Sequence, residues 1–458
     1  MEPVSNLEDQ PDMSKKENTM RIKAFLSSLL IVCFLLVMVA PIAAAQADDF
    51  TCPEGVHEIV AAVGEVGAEY DVALQQAIRY NELCPNITVS LFRSPNQATD
   101  RLGLYRAIWE AQSSEIDLFQ TDVVWGGIIA PHVVDLNEYL PPEYFEQFFP
   151  AMVEGQQIDG RQVAIPWFTD AGGLYYRTDL LEKYGLTLPT TWDELTETAQ
   201  IIQDGERAAG NDDFYGYVWQ GNSYEGLTCD AHEWLTSETG DTFITSEGVV
   251  NVNNDAFITA LERAYSWINT ITPPEVVNFG EEEARGFWET GNAAFMRNWP
   301  YAYGAGNAEN SLVKGLFDFT ALPAGEVTAA ACLGGWQLAV SKYSNNIDAA
   351  VSVAVFMTSY DEQKARALSP HGSNPTIPAL YEDPELLEAN LLFTRMGAIL
   401  ATAYPRPSSF TAAEYDRASN VFYRTIHLVL SGEIEAASAV DEMEFELQDI
   451  VDEILAGQ

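Results

Sequence analysis

The stretch HEIVAAVGEVGAEYDVALQQAIRYNELCPNITVSLFR, residues 57–93, decides the fold. From His57 to Gly64 an apolar run predicts a strand. Gly67 to Leu83 predicts a helix with Leu74, Ala77 and Ile78 on its inward face, and Ile87, Val89 and Leu91 alternate as a second strand. Further on, Thr99 to Gln112 predicts a helix turning Leu102, Tyr105 and Ile108 or Trp109 inward. Ile116 to Asp122 then gives a third short strand that ends on a carboxylate. Strands separated by helices in this way pair in parallel, so the chain is read as α/β. Ligands of open α/β sheets sit beyond the carboxyl ends of the strands. Glu69, in the first turn after the first strand, and Asp122, at the end of the third, would face one such crevice. The plainer reading of Glu69 is a carboxylate placed well against the helix dipole.

Beyond Pro166 the pattern is more helical. Thr178 to Tyr184 closes at Gly185, and Thr191-Trp192-Asp193-Glu194 is a capping box opening a helix toward Gly205. Asp255 to Thr270 carries Leu261, Ala264, Tyr265 and Ile268 at helical spacing before Pro273-Pro274. Ile347 to Ser359 and Ala436 to Leu455 predict two later helices. With 458 residues and 47% hydrophobic content, two lobes are expected rather than one ordinary domain.

The N-terminus reads as an export signal. Lys15, Lys16, Arg21 and Lys23 precede the apolar run Leu29 to Ala40, and Ala45-Gln46-Ala47 supplies an A-x-A cleavage site, so residues 1–47 are expected to be removed. The uninterrupted apolar run falls short of the roughly 20 residues of a spanning helix. Cys33 lies inside it, away from the cleavage point, which argues against a lipid anchor. The expected location is periplasmic or secreted, with no membrane-spanning segment after cleavage.

Four cysteines then remain, Cys52, Cys84, Cys229 and Cys332, with three possible connectivities. Cys52 and Cys84 each precede a predicted strand at the same sheet edge, so the expected pairs are Cys52 with Cys84 and Cys229 with Cys332. The alternative is buried free thiols. No cysteine pair has C-x-x-C spacing and the five histidines are scattered, so neither a metal nor a cofactor is expected. The 68 acidic against 23 basic residues, net −45, exclude nucleic acid as a partner and suit a salt-rich medium. The acidic runs Glu281-Glu282-Glu283 and Glu442 to Glu446 read as solvated faces.

Carboxylates at a crevice accept hydrogen bonds from hydroxyl groups. The rings of Trp167-Phe168, Trp299-Pro300-Tyr301 and Trp336, beside prolines or glycines, could lie against the CH faces of a pyranose. Each ring taken singly is more often core.

The segment Ile165-Pro166-Trp167-Phe168-Thr169-Asp170-Ala171-Gly172-Gly173-Leu174-Tyr175-Tyr176-Arg177, followed by Asp179 to Gly185, resembles the family 1 extracellular solute-binding proteins of ABC sugar transporters. The trehalose/maltose-binding branch is the nearest likeness. Gly216 to Gly221, Tyr224 to Asp230, Gly291 to Tyr301 and Leu333 to Trp336 carry the same resemblance.

The resemblance implies a two-lobe, maltose-binding-protein-like (type II) fold, with a ligand cleft that closes on an α-linked disaccharide. It further implies residues 48–166 with about 302–345 in lobe 1, and residues 167–301 with about 346–458 in lobe 2. The implied ligand shell is Glu69, Arg101, Asp122, Phe168, Asp170, Trp299, Tyr301, Gly335, Trp336 and Arg406. In it the carboxylates accept, the arginines donate and the rings stack. Phe168 stands where the family branch carries a tyrosine, and the stretch Asn96 to Asp100 departs from its pattern. The implied partners are the disaccharide and ABC permease subunits, the protein itself being a monomer with no catalysis. Two other readings are a binding protein of this fold for another oligosaccharide or a polyamine, and a secreted glycoside hydrolase working through paired carboxylates.

Overall fold

In the computed structural model the described residues are 50–369, 372–389 and 392–457. The expected signal, 1–47, lies outside them. Residues Pro53–Gln458 form one compact unit.

Within that unit the opening stretch folds as its periodicity dictates. Strand β1 (His57–Val63), helix α1 (Glu69–Leu83), strand β2 (Ile87–Arg93), helix α2 (Ala98–Glu110) and strand β3 (Leu118–Asp122) follow in order. β1 pairs in parallel with both β2 and β3.

One expectation fails here. Leu74 and Ile78 of α1 point to solvent, and the buried stripe is Glu69, Val72, Ala73, Gln76, Ala77 and Tyr80. This stripe keeps the helical spacing but carries two polar residues, which disguises it in a hydropathy reading. The Gln76 amide nitrogen donates to the Met357 carbonyl at 3.0 Å, which ties α1 to a distant part of the chain.

After β3 the chain continues through β4 (Ile165–Ala171) into β5 (Gly173–Arg177), α3 (Thr178–Tyr184), α4 (Trp192–Ala208), β6 (Tyr215–Val218), α5 (Glu225–Thr239), α6 (Asp255–Trp267), α7 (Glu281–Glu289) and β7 (Ala293–Asn298). It then forms β8 (Phe317–Thr320), β9 (Ala331–Val340), α8 (Ile347–Met357), α9 (Tyr360–Leu368), β10 (Ala403–Tyr404), α10 (Tyr415–Leu430) and α11 (Ala436–Gly457).

The helix ends follow their local signals. Gly185 closes α3 in the left-handed region at φ 65°, and Thr191 caps α4 by accepting from the Glu194 N–H at 3.2 Å.

Two sheets organise these elements. The first runs β10-β9-β3-β1-β2, with β4 also paired to β9; the second runs β8-β5-β7-β6. β9 is antiparallel to β3 and to β4, and consecutive strands β4 and β5 belong to different sheets, so the chain crosses between the lobes at Gly172. The second lobe is filled by Trp192, Trp219, Trp234, Trp267 and Trp288; the first packs Tyr105, Trp109, Phe119 and Trp125 against one another.

The sheets depart from the expected division in two places. Residues 317–320 join the second sheet as β8, although 302–345 was assigned to lobe 1. Helices α8 and α9, assigned to lobe 2, pack on α1: Tyr80 donates to Ser352 at 2.9 Å and Arg79 pairs with Glu362 at 2.6 Å. Periodicity fixes what an element is, whereas the layer it joins depends on long-range packing.

Cys52 and Cys84 are both disulfide-bonded. The expected bond between Cys229 and Cys332 is absent, for both are buried free thiols. Burial, helped by a hydrogen bond that the Cys229 thiol donates to Cys332, pushes the Cys229 thiol well up and keeps it protonated, while the Cys332 thiol meets the Leu333 carbonyl at 3.8 Å. The thiolate is the form that oxidises, so this environment favours the thiol pair.

Candidate functional site

A cavity of about 70 Å³ lies between the two sheets. Its walls contain Glu69, Asp122, Phe168, Asp170, Trp299, Tyr301, Gly335, Trp336 and Arg406, nine of the ten residues singled out from the sequence. They arrive from the ends of several different elements. Glu69 opens α1, Asp122 ends β3, Phe168 and Asp170 lie on β4, Trp299 and Tyr301 follow β7, and Gly335-Trp336 sits on β9 directly opposite Asp122.

The tenth, Arg101, stands behind the wall. It is fully buried, its Nε donates to the Pro95 carbonyl at 2.9 Å, and its guanidinium lies 4.2 Å above the Trp336 ring and 3.8 Å from Glu69.

Two glycines make the packing possible. A side chain at Gly64 would come within 2.1 Å of the Arg101 Nη2 and 2.2 Å of the Glu69 Oε2. Gly335 has φ +133°, and a Cβ there would sit 2.7 Å from the Phe168 carbonyl oxygen. The β4–β9 register shifts at the next residues, which turns Trp336 onto the cavity wall.

Three cavity residues escaped the sequence reading with chemistry of their own: Tyr224, Glu225 and Glu281. Glu225 receives Arg406 at 2.5 Å, Tyr415 at 2.5 Å and Ser419 at 2.6 Å, and Arg406 also donates to Asp122 at 3.0 Å. Glu281 accepts from the Tyr224 hydroxyl at 2.6 Å and lies 3.4 Å from the Trp299 indole nitrogen. The run Glu281–Glu283 is therefore not simply a solvated face: Glu281 faces the cavity, Glu282 accepts from the Tyr301 hydroxyl at 2.6 Å, and Glu283 caps Gly280 at 3.0 Å. The hydrophobic partners of α7 at Ala284 and Trp288 could have signalled this orientation, because they leave Glu281 on their own side of the helix.

Five carboxylates thus border one cavity. Burial pushes the Glu69, Glu225 and Glu281 carboxyls up, with Arg101 opposing at Glu69 and Arg406 opposing at Glu225. Asp170 is raised well above the usual range: it touches the cavity yet lies deep enough for desolvation to dominate, and the Glu69 charge adds to the effect. Such an array accepts hydrogen bonds from hydroxyl groups, while the rings of Phe168, Trp299, Tyr301 and Trp336 offer flat apolar area. Among the described residues no group of three or more His, Cys, Asp or Glu is placed to hold a metal ion, and no helix is long and apolar enough to cross a membrane.

Residues 62–364 match the family model of the bacterial extracellular solute-binding proteins. The chain belongs to this family. Among its relatives is the "probable ABC transporter-binding protein" of Deinococcus radiodurans, 42% identical over 388 residues, which span 84% of this chain and 92% of the relative. The solved structure of maltose-bound T. maritima MalE3 superimposes with a TM-score of 0.81 at 37% identity, covering 86% of this solute-binding protein and all of the other chain. The cyclic α-maltosyl-1,6-maltose binding protein of Arthrobacter globiformis matches at TM-score 0.68 and 23% identity over 87% of this chain and all of its own, a likeness of fold alone. The family and these relatives are binding proteins, not enzymes. The two-lobe fold expected of this solute-binding protein is the one they share.

Proposed function

We propose that this protein binds an α-linked disaccharide of the trehalose/maltose class outside the cytoplasmic membrane and delivers it to an ABC importer by closure of its two lobes. The observation that carries the reading is the composition of the cavity wall between the sheets. Five aromatic residues and five carboxylates from both lobes converge there, with Arg406 bridging Asp122 of the first lobe to Glu225 of the second. In this role Glu69, Asp122 and Asp170 accept sugar hydroxyls, Arg406 orients them, Arg101 supports Glu69 and the Trp336 ring from behind the wall, and Phe168, Trp299, Tyr301 and Trp336 stack. The maltose seen in T. maritima MalE3 and the ABC assignment of the D. radiodurans relative support the ligand class and the permease partner. The "extracellular" family description and the N-terminal signal pattern support export. We also assign Cys52 and Cys84 to the exported, oxidised form of the chain.

Ligand that binds only the folded state stabilises it by about 2.7 kcal/mol at a hundredfold excess over Kd. A thermal-shift series with trehalose, maltose, sucrose, mannitol and spermidine is therefore expected to raise the melting temperature with an α-linked disaccharide. A rise with spermidine alone would replace the saccharide reading with a cationic ligand, and release of glucose from the disaccharides would replace it with hydrolysis.

A further inference from the structure

Three of the rings on the cavity wall rest on buried arginines. Arg101 lies 4.2 Å from the centre of the Trp336 ring, Arg297 lies 4.2 Å from Trp299, and Arg366 lies 4.2 Å from Phe168 and 4.1 Å from Trp167. All three arginines are at most 1% exposed. Two of them also answer a carboxylate at close range. Arg297 meets Asp230 at 2.7 Å and Glu233 at 2.5 Å, and Arg101 stands 3.8 Å from Glu69.

Arg366 is different. It sits on α9, its Nε donates to the Ser373 hydroxyl at 3.0 Å, and both terminal nitrogens lack a hydrogen-bond partner among the described residues. A buried guanidinium without an ion pair is costly, and stacking on two rings recovers only part of that cost. The charges that act on it are those of Glu69 and Asp170. Among the cavity carboxylates, Asp122 and Glu225 share Arg406, Glu69 has Arg101, and Asp170 and Glu281 have no ion pair among the described residues, Glu281 being held instead by the Tyr224 hydroxyl.

We infer that Arg366 is a positioning residue of the ligand site, holding the Asp170 carboxylate in its hydroxyl-accepting form and fixing the Phe168 ring against which the ligand stacks. This rests on the saccharide reading for the ligand, though not for the effect on Asp170. The charged and titratable groups bearing on Asp170 are Glu69 from α1, Asp122 from β3, Arg366 from α9, Tyr175 from β5 and Tyr381 from the turn at Pro378–Glu382, and the neutral Asn374 side chain also favours its ionised form. Burial and the two neighbouring acids raise its pKa, and of the facing charges Arg366 is the one that lowers it. Without that cation Asp170 takes up a proton at higher pH and turns from acceptor to donor.

The test uses the full exported chain, with wild type, Arg366→Met and Arg366→Lys compared by calorimetry against trehalose and maltose from pH 6 to 9. The Met variant is expected to lose about tenfold or more in affinity at pH 6 and to recover toward pH 9, the loss corresponding to about one pKa unit. The Lys variant keeps the charge, so its profile stays close to wild type in shape with a uniformly weaker affinity from the lost stacking. In parallel, the ligand-free proteins are labelled with 13C at the aspartate carboxyls, and the Asp170 signal is assigned by its absence in Asp170→Asn. That signal is expected to titrate at higher pH in Arg366→Met than in wild type. In Arg366→Met, an unmoved Asp170 titration, or a loss of affinity equal at every pH, would overturn the inference; should Arg366→Met fail to fold, the isosterically closer neutral variant Arg366→Gln is judged by the same two measurements. If wild type binds neither sugar, the saccharide reading falls while the carboxyl titration still judges Arg366.

Discussion

At the scale of single residues, Trp336 is held on the cavity wall from three sides. It faces Asp122 across β9 and β3, meets the Trp125 ring edge-on at 5.7 Å and lies under Arg101. A ring so fixed loses little rotamer freedom when a ligand stacks on it, the condition under which an aromatic becomes a binding hot spot. Trp336→Ala is expected to weaken disaccharide binding by roughly 2 kcal/mol, about 30-fold in Kd by titration calorimetry, with the fold retained by circular dichroism. His232 makes a prediction about acid. Burial first, and the Arg406 charge second, depress its pKa to about 3, and its Nε2 lies 3.1 Å from the Thr242 hydroxyl. The unfolded chain takes up this proton near pH 6.5 and the folded one does so only near 3. Its contribution is therefore complete above pH 6.5 and falls as the pH drops, by about 1.4 kcal/mol per pH unit. The stability difference between wild type and His232→Gln, from urea unfolding, should shrink by that amount between pH 6 and pH 5. A constant difference would show that His232 is protonated in the fold.

At the scale of elements, the two lobes touch through α2 on one side and α5 and α10 on the other. Arg106 of α2 pairs with Asp416 of α10 at 2.6 Å, and the Glu225 N–H at the start of α5 donates to the Thr99 hydroxyl at 3.1 Å. Both contacts cross the cleft, so they favour the closed arrangement. The ion pair is half-buried and still reached by solvent, and contributes at most about 1 kcal/mol. Arg106→Ala is accordingly expected to shift the ligand-free protein toward a larger radius of gyration by X-ray scattering, with less than about fivefold loss of affinity. An unchanged radius with and without ligand would mean that this contact does not bias closure. Elements also reveal what periodicity conveys. The strands and helices of residues 57–122 were legible, yet the buried face of α1 was not, because Glu69 and Gln76 occupy it for reasons that lie elsewhere in the chain. Glu69 serves the cavity, and Gln76 serves the end of α8.

At the scale of the whole molecule, 68 acidic residues against 23 basic ones leave a net charge of −45. Self-repulsion on this scale is screened over about 10 Å in 0.1 M salt and about 3 Å in 1 M. The melting temperature is expected to rise between dilute buffer and 1 M NaCl in scanning calorimetry, and equal values would remove the link to a saline medium. The sequence by itself determined the α/β alternation, the helix caps and, through long motifs such as those at 165–177 and 291–301, the family. These are properties of neighbouring residues, where local sterics, hydrogen bonds and side-chain period act without help. Only the tertiary structure decided that Glu225 and Glu281 join the cavity wall, that Cys229 and Cys332 stay reduced, and that a guanidinium on α9 lies beneath Phe168. Each of those facts is a meeting of segments far apart in the chain, fixed by how two sheets and their helices pack.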